Sequence, residues 1–233
     1  MTERRRSAVR RSRDALAIGR TTATWEAGVL TFTIDETAAP IPRRLRGRVE
    51  IRAESINPQT FVLEGQGRHW WRPLAPLARV AIDMNSPALS WRGDGYIDQN
   101  AGGEPIERAF SHWTWSRAKT RNGATILYDA IRRREAPLSL ALGFDRSGNL
   151  EQRQSPPSAA LPATRWRLPR MTRADDGRAA LVRSFEDTPF YSRGLVAHKV
   201  FGELLESVHE SLSLDRFSWP IVRAMLPFRM PRL

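Results

Sequence analysis

The sequence predicts an all-β protein, and three observations carry that expectation. Short runs rich in Val, Ile, Thr, Phe and Trp recur along the 233 residues, bounded by Gly, Pro, Asn or Asp. Turn chemistry stands between them, as in Arg121-Asn122-Gly123 before ATILY and DRSGN after LGF, which favours antiparallel hairpins closing into sandwiches or barrels. In LSLALGF the alternation is cleanest: Leu138, Leu140, Leu142 and Phe144 share one face, and Ser139, Ala141 and Gly143 the other.

In chain order the strand-like runs are GVLTFTID (28–35), GRVEIRAES (47–55), QTFVLEG (59–65), ARVAIDM (78–84), ALSWRGDGYID (88–98), RAFSHWTWSRA (108–118), ATILYDAIRR (124–133) and LSLALGF (138–144). The segment EQRQSPPSAALP (151–162) reads as a Pro/Ser-rich connector. VFGELLESVHESL (200–212) places Val200, Phe201, Leu204, Leu205, Val208 and Leu212 on one helical stripe, with Glu203, Glu206 and Glu210 outside it, and predicts a short amphipathic helix. The tail LDRFSWPIVRAMLPFRMPRL interleaves aromatic and aliphatic side chains with arginines, and its prolines break any continuous helix. It either packs across the open end of a β domain or lies on an anionic membrane surface.

Composition narrows the chemistry. With no cysteine, disulfides, thiolate zinc sites and thiol nucleophiles are excluded. The histidines His69, His112, His198 and His209 have no metal-ligand spacing, so neither a metal nor another cofactor is expected. No run of eighteen apolar residues marks a membrane-spanning helix and no secretory signal opens the chain, so the cytoplasm is the expected compartment. The net charge of +12 raises the possibility of nucleic acid as a partner. The bases are scattered through MTERRRSAVRRSR, PRRLRGR and IRRRE, and no zinc finger, RNA-recognition signature or phosphate loop accompanies them, so a solvated surface is the better reading and no nucleic-acid partner is expected.

One stretch keeps its polarity on one side. Read at period 2, Arg92, Asp94, Tyr96, Asp98 and Asn100 share a face, and Trp91, Gly93, Gly95 and Ile97 share the other. Such a row faces water or lines a site, and on an inward face a desolvated carboxyl can be a proton donor at neutral pH. Trp113 and Trp115 share one face of the next run. An acid beside aromatic rings suits protonation of an unactivated alkene, because the rings stabilise the carbocation that follows. Against this, an Asp/Asn/Gly-rich stretch is more often a surface turn, and a tryptophan pair more often core. His69, followed by two tryptophans, is a second polar candidate that could equally be a packed, hydrogen-bonded histidine.

The stretch HWWRPLAPLARVAIDMNSPALSWRGDGYIDQNAGGEPIERAFSHWTWSRA and the closing LDRFSWPIVRAMLPFRMPRL closely resemble the carotenoid 1,2-hydratases, also called hydroxyneurosporene synthases. The ordered G-x-G-Y-x-D-x-N-x-G core followed by EP, and LPFRMPR near the end, carry the resemblance, which runs over most of the chain. It implies a cofactor-independent enzyme of carotenoid biosynthesis in photosynthetic bacteria, adding water across the terminal C1=C2 bond of an acyclic carotenoid such as neurosporene or lycopene. Peripheral contact with the photosynthetic inner membrane follows from a substrate dissolved there. The implied fold is two lipocalin-like β domains: residues 1–72 as the remnant of the first and 73–233 as the second, with a short C-terminal helix and tail. The family carries a further strand-like segment ahead of the stretch resembling MTERRR, so the first domain is expected to be incomplete.

Carried over residue by residue, the motif aspartate falls on Asp98 as proton donor and the tyrosine on Tyr96, with His69 orienting or binding water. Trp91, Trp113 and Trp115 are expected to line the pocket of the cation, and Asn100 to hold the attacking water. Two other readings keep the architecture and drop the hydration: a related pericyclic polyene cyclase, and a non-enzymatic lipid or carotenoid carrier, the latter favoured if Asp98 is exposed and no buried acid stands near it.

Overall fold

The computed structural model describes residues 5–38 and 41–225. The all-β expectation holds: the described residues form seventeen strands and only a few short helices. They fall into two compact units, one formed by residues 5–38, 41–56 and 75–97, the other by 57–74 and 98–225.

The first unit contains strands β1 (Val9–Arg11), β2 (Ala15–Ile18), β3 (Thr21–Glu26), β4 (Val29–Thr37) and β5 (Arg44–Ala53), paired in chain order and antiparallel. β5 pairs in turn with Ala78–Ser86. Alternation gives this sheet one face with Leu30, Phe32, Ile34, Val49, Ile51 and Ile82 and another with Thr31, Thr33, Arg48, Glu50 and Arg52. Within β1–β5 only Gly47 is fully buried; the apolar side chains are half-buried or exposed. The β3–β4 hairpin turns on Ala27 and Gly28, both at positive φ (48° and 76°), the backbone of a type I′ turn whose twist matches that of the strands.

Two long strands, β7 (His69–Ser86) and β8 (Ala88–Gly102), contribute residues to both units; the two-residue β6 (Phe61–Val62) pairs with Trp70 and Trp71 of β7. The second unit continues with the single-turn α1 (Ile106–Ala109), β9 (Phe110–Thr120), β10 (Gly123–Arg132), β11 (Leu138–Asp145), β12 (Leu150–Arg153), β13 (Ser158–Leu161), β14 (Arg170–Arg173), β15 (Ala179–Asp187), β16 (Tyr191–Val200), β17 (Glu203–Ser213), α2 (Leu214–Phe217) and α3 (Pro220–Met225). Seven of its strands make one antiparallel sheet in the order β12-β11-β10-β9-β17-β16-β15, with β13 and β14 as a separate pair. No ladder joins the edges β12 and β15 among the described residues, so strand pairing does not close this sheet into a barrel.

Two sequence expectations change. The amphipathic helix over 200–212 is instead the end of β16, a turn and nearly all of β17. Phe201 and Gly202 both take positive φ (53° and 82°), and their amides donate to Asp175 Oδ1 and Oδ2 at 3.0 and 2.7 Å. This second type I′-like turn starts a hairpin that a helix would have to break. The helical stripe misleads because the fully buried face of β17 is mostly polar: Leu205, Ser207, His209 and Ser211 point inward, whereas Leu204 is 79% exposed. In this part of the chain helix begins only at Leu214. The connector 151–162, likewise, includes the end of β12 and all of β13.

Ladder registers assign each side chain of the seven-stranded sheet to a face. One face carries the row Leu140, Tyr128, Trp115, Glu210, Arg193, Glu186, each opposite the next on the neighbouring strand. The other carries Ser139, Asp129, Thr114, Ser211, Ser192, Asp187, a polar row across six strands, beside an apolar cluster of Ala118, Leu127, Ala141, Val200 and Leu205. β14 satisfies part of the polar face. Arg173 donates to both Asp129 oxygens at 2.6–2.9 Å, its carbonyl lies 2.7 Å from His198 Nδ1, and the carbonyl of Met171 lies 2.9 Å from His209 Nε2.

Candidate active site

The aromatic face of the seven-stranded sheet carries Trp113 and Trp115, with Asp98 tied to it through Trp71. Trp71, on β7, is fully buried; its ring lies 5.0 Å from Tyr128 and 5.7 Å from Phe61. Tyr128 stacks on Trp113 at 6.2 Å and 15°. The indole Nε1–H of Trp71 donates to Asp98 Oδ2 at 2.9 Å, so the motif aspartate is held against an aromatic wall through the Trp71 indole. Burial, reinforced by the negative charge of Asp98, pushes the Tyr128 phenol well above its ordinary range, keeping it neutral.

Asp98 itself is exposed, as are Gln99 and Asn100 beyond it. The desolvated carboxyl on this face is a different one. Glu210 stands opposite Trp115 on one side and Arg193 on the other, with Oε1 3.3 Å from Arg193 Nε and a hydrogen bond from the Tyr191 hydroxyl. Burial raises its carboxyl above the usual range; Arg193 and Tyr191 oppose the rise, while the charges of Asp98 and Glu186 add to it. Tyr191 is itself pushed far up by burial first and by Glu210 second. Sequence reasoning missed Glu210 because the helical stripe left it on a solvated side. The alternation Val208, Glu210, Leu212 against Ser207, His209, Ser211, directly after a Phe-Gly pair, is the signal that could have found it.

His69 is buried and set largely by main-chain contacts. Its amide donates to Glu64 Oε1 at 3.1 Å and its Nε2 lies 3.1 Å from the Glu104 carbonyl; a carbonyl can only accept, so Nε2 carries the proton. Its ring meets Phe110 edge-on at 5.4 Å, and a Cβ on Gly102 would come within 2.7 Å of its Cδ2. Burial alone would push the Glu64 carboxyl up, but the amides of Gln66, Arg68 and His69 and the His69 ring together hold it below its usual range. The loop Glu64–His69 thereby fixes where β7 starts, two residues before Trp71.

The structure thus brings Asp98, Trp113 and Trp115 into one unit with Trp71, Tyr128 and Glu210, and places His69 two residues from Trp71 on the same strand. Asn100 shares that unit and is exposed. Tyr96, half-buried, and Trp91, 44% exposed, belong to the first unit. Of the tail, residues 226–233 lie outside the described residues. The part before them packs Leu214 and Val222 into the second unit and ties Arg223 to Glu107 at 2.6 Å, leaving Trp219 and Ile221 exposed.

Comparison with known proteins agrees with the resemblance. The family model described as carotenoid hydratase CrtC matches residues 1–233. The chain is 48% identical to the acyclic carotenoid 1,2-hydratase of Thiocapsa roseopersicina and 42% to that of Rubrivivax gelatinosus, in each case over the whole chain and 58% of the relative. It is 38% identical to the acyclic carotenoid 1,2-hydratase of Cereibacter sphaeroides, covering 84% of that protein. The chain therefore spans a little over half the length of the first two relatives.

Proposed function

Because this chain belongs to the carotenoid hydratase CrtC family, we propose that it adds water across the terminal C1=C2 double bond of an acyclic carotenoid, giving a tertiary alcohol without a cofactor. The observation that carries this reading is the Asp98 carboxyl bonded to the Trp71 indole beside Tyr128 and Trp113. Asp98 protonates the less substituted alkene carbon. The tertiary cation then rests against the π faces of this wall, where a positive charge is stabilised by the ring quadrupoles, and water captures it. His69 and Asn100 keep supporting parts in holding water, while Tyr96 and Trp91 rest on the resemblance alone.

The substrate class implies contact with a lipid surface. No helix among the described residues is long and apolar enough to cross a membrane. The exposed Trp219 and Ile221 beside Arg216 and Arg223 offer an apolar and basic edge for peripheral attachment.

The test is to express the chain in a lycopene-producing bacterium and analyse the pigments by liquid chromatography with mass detection. A species heavier by one water is expected from the wild type and none from Asp98→Asn, with the variant still folded by circular dichroism. Hydration by Asp98→Asn at near wild-type level would overturn the assignment. One observation favours a second reading, a carotenoid carrier: the exposure of Asp98. The half-buried Glu210 on the same face counts against it, and unmodified pigment co-purifying with both proteins would support the carrier.

A further inference from the structure

Hydration moves two protons, one onto the alkene and one off the attacking water, and two carboxyls stand next to the aromatic residues of this face: Asp98, bonded to Trp71, and Glu210, opposite Trp115. Tyr128, Trp115 and Glu210 are consecutive partners across β10, β9 and β17, so the backbones of Tyr128 and Glu210 stand two strand spacings apart, about 10 Å. Asp98 is joined to the Tyr128 side of this row through Trp71. Trp115 holds the register position between Tyr128 and Glu210. A terminal isoprenoid unit laid along the Trp115 indole has a carboxyl towards each end, an arrangement that leaves room for a water beside the second acid, as in two-carboxylate catalysis at sugars.

Resting on the hydratase reading, we infer that Glu210 is the base of the reaction, taking a proton from the water that captures the cation, while Asp98 serves as the acid. The two tasks ask for different carboxyls. Delivering a proton in every turnover demands a supply of protons, and Asp98 is the exposed member, able to recover its proton from solvent. Accepting a proton from water demands proton affinity. Glu210 has it from burial, and Arg193 and Tyr191 stabilise the charged form that must be present beforehand.

The step balances. The π pair of C1=C2 takes the Asp98 proton and becomes the C2–H bond, leaving C1 cationic and Asp98 a carboxylate. A lone pair of water forms the C1–O bond, and one O–H pair stays on oxygen as its proton passes to Glu210, giving the neutral alcohol. Glu210 then returns its proton to solvent as Asp98 regains one.

The experiment compares wild type, Asp98→Asn and Glu210→Gln with lycopene in liposomes made up in D2O, following both hydrated product and deuterium in recovered substrate. Without the base the cation still forms and collapses back, so Glu210→Gln should lose about a hundredfold or more in hydration while recovered lycopene still gains deuterium. Asp98→Asn should lose both. A merely structural Glu210 would lose hydration and exchange together, and a dispensable one would hydrate at the wild-type rate; either result overturns the assignment. A folded wild type that shows neither hydration nor exchange would overturn the hydratase reading itself, a result distinct from the other two.

Discussion

Trp71 is the residue on which the position of Asp98 depends, because its indole N–H is bonded to the Asp98 carboxylate while its ring is locked between Phe61 and Tyr128. Trp71→Phe keeps an aromatic body and deletes the donor. It should cost about 1–3 kcal/mol in denaturant unfolding and lower product formation about tenfold to a hundredfold, since a misplaced reacting group loses its alignment. The buried histidines make a second prediction. Burial lowers His209 to about 4, the Met171 carbonyl opposing, and lowers His198 in the same way. Both stay neutral in the fold where the unfolded chain, near 6.5, already binds protons, so folding stability is full above about 6.5 and falls as pH drops towards 4. Urea midpoints between pH 7.5 and 4.5 should show this slope, and His209→Gln should flatten it. In Glu210 the sign reverses: its raised carboxyl favours the fold at low pH and that contribution is lost as pH rises through its folded value. Asp98 stands out in the sequence because a long ordered motif surrounds it. Glu210 was not, because nothing local distinguishes a glutamate on a sheet's aromatic face from one in water.

Among the elements, β17 separates what periodicity can and cannot reveal. A helix of this sequence would bury Leu204 and Leu205 together; the strand buries Leu205 at 5% exposure and leaves Leu204 at 79%. Leu204→Lys should therefore change stability by less than about 0.5 kcal/mol, whereas Leu205→Ala should cost about 2–4 kcal/mol; equal losses in urea unfolding would restore the helical reading. The strands with clean alternation, such as Leu138–Phe144, and the turns at Arg121-Asn122 and Asp145–Asn149 needed no structure to be found. β17 did, because three of its four fully buried positions are Ser207, His209 and Ser211, and the partners of Ser207 and His209 come from β16 and β14, distant in sequence. At the end of β8, Gly102→Ala should push the added methyl into His69 and cost about 1–3 kcal/mol, measured by thermal unfolding, with a larger side chain costing more.

For the molecule as a whole, the two units differ in how much they bury. The second holds Trp71, Phe110, Ile126, Leu142, Leu168, Leu214 and Val196 almost free of solvent, and β1–β5 bury no apolar side chain completely. Hydrogen exchange followed by mass spectrometry should therefore find the slowest amides in β9, β10, β16 and β17 and faster ones throughout β1–β5. The Phe201–Gly202 turn has a consequence on this scale. The sheet it feeds has an aromatic side and a polar side, and adjacent residues of β17 belong to opposite sides. Deleting one residue from the turn would preserve composition, charge and strand propensity almost unchanged. Yet it would turn β17 over, presenting His209 to Trp115 and driving Glu210 among the serines. The pair of amides gripped by Asp175 is thus a frame marker, setting which of two opposite chemistries each face of the sheet displays.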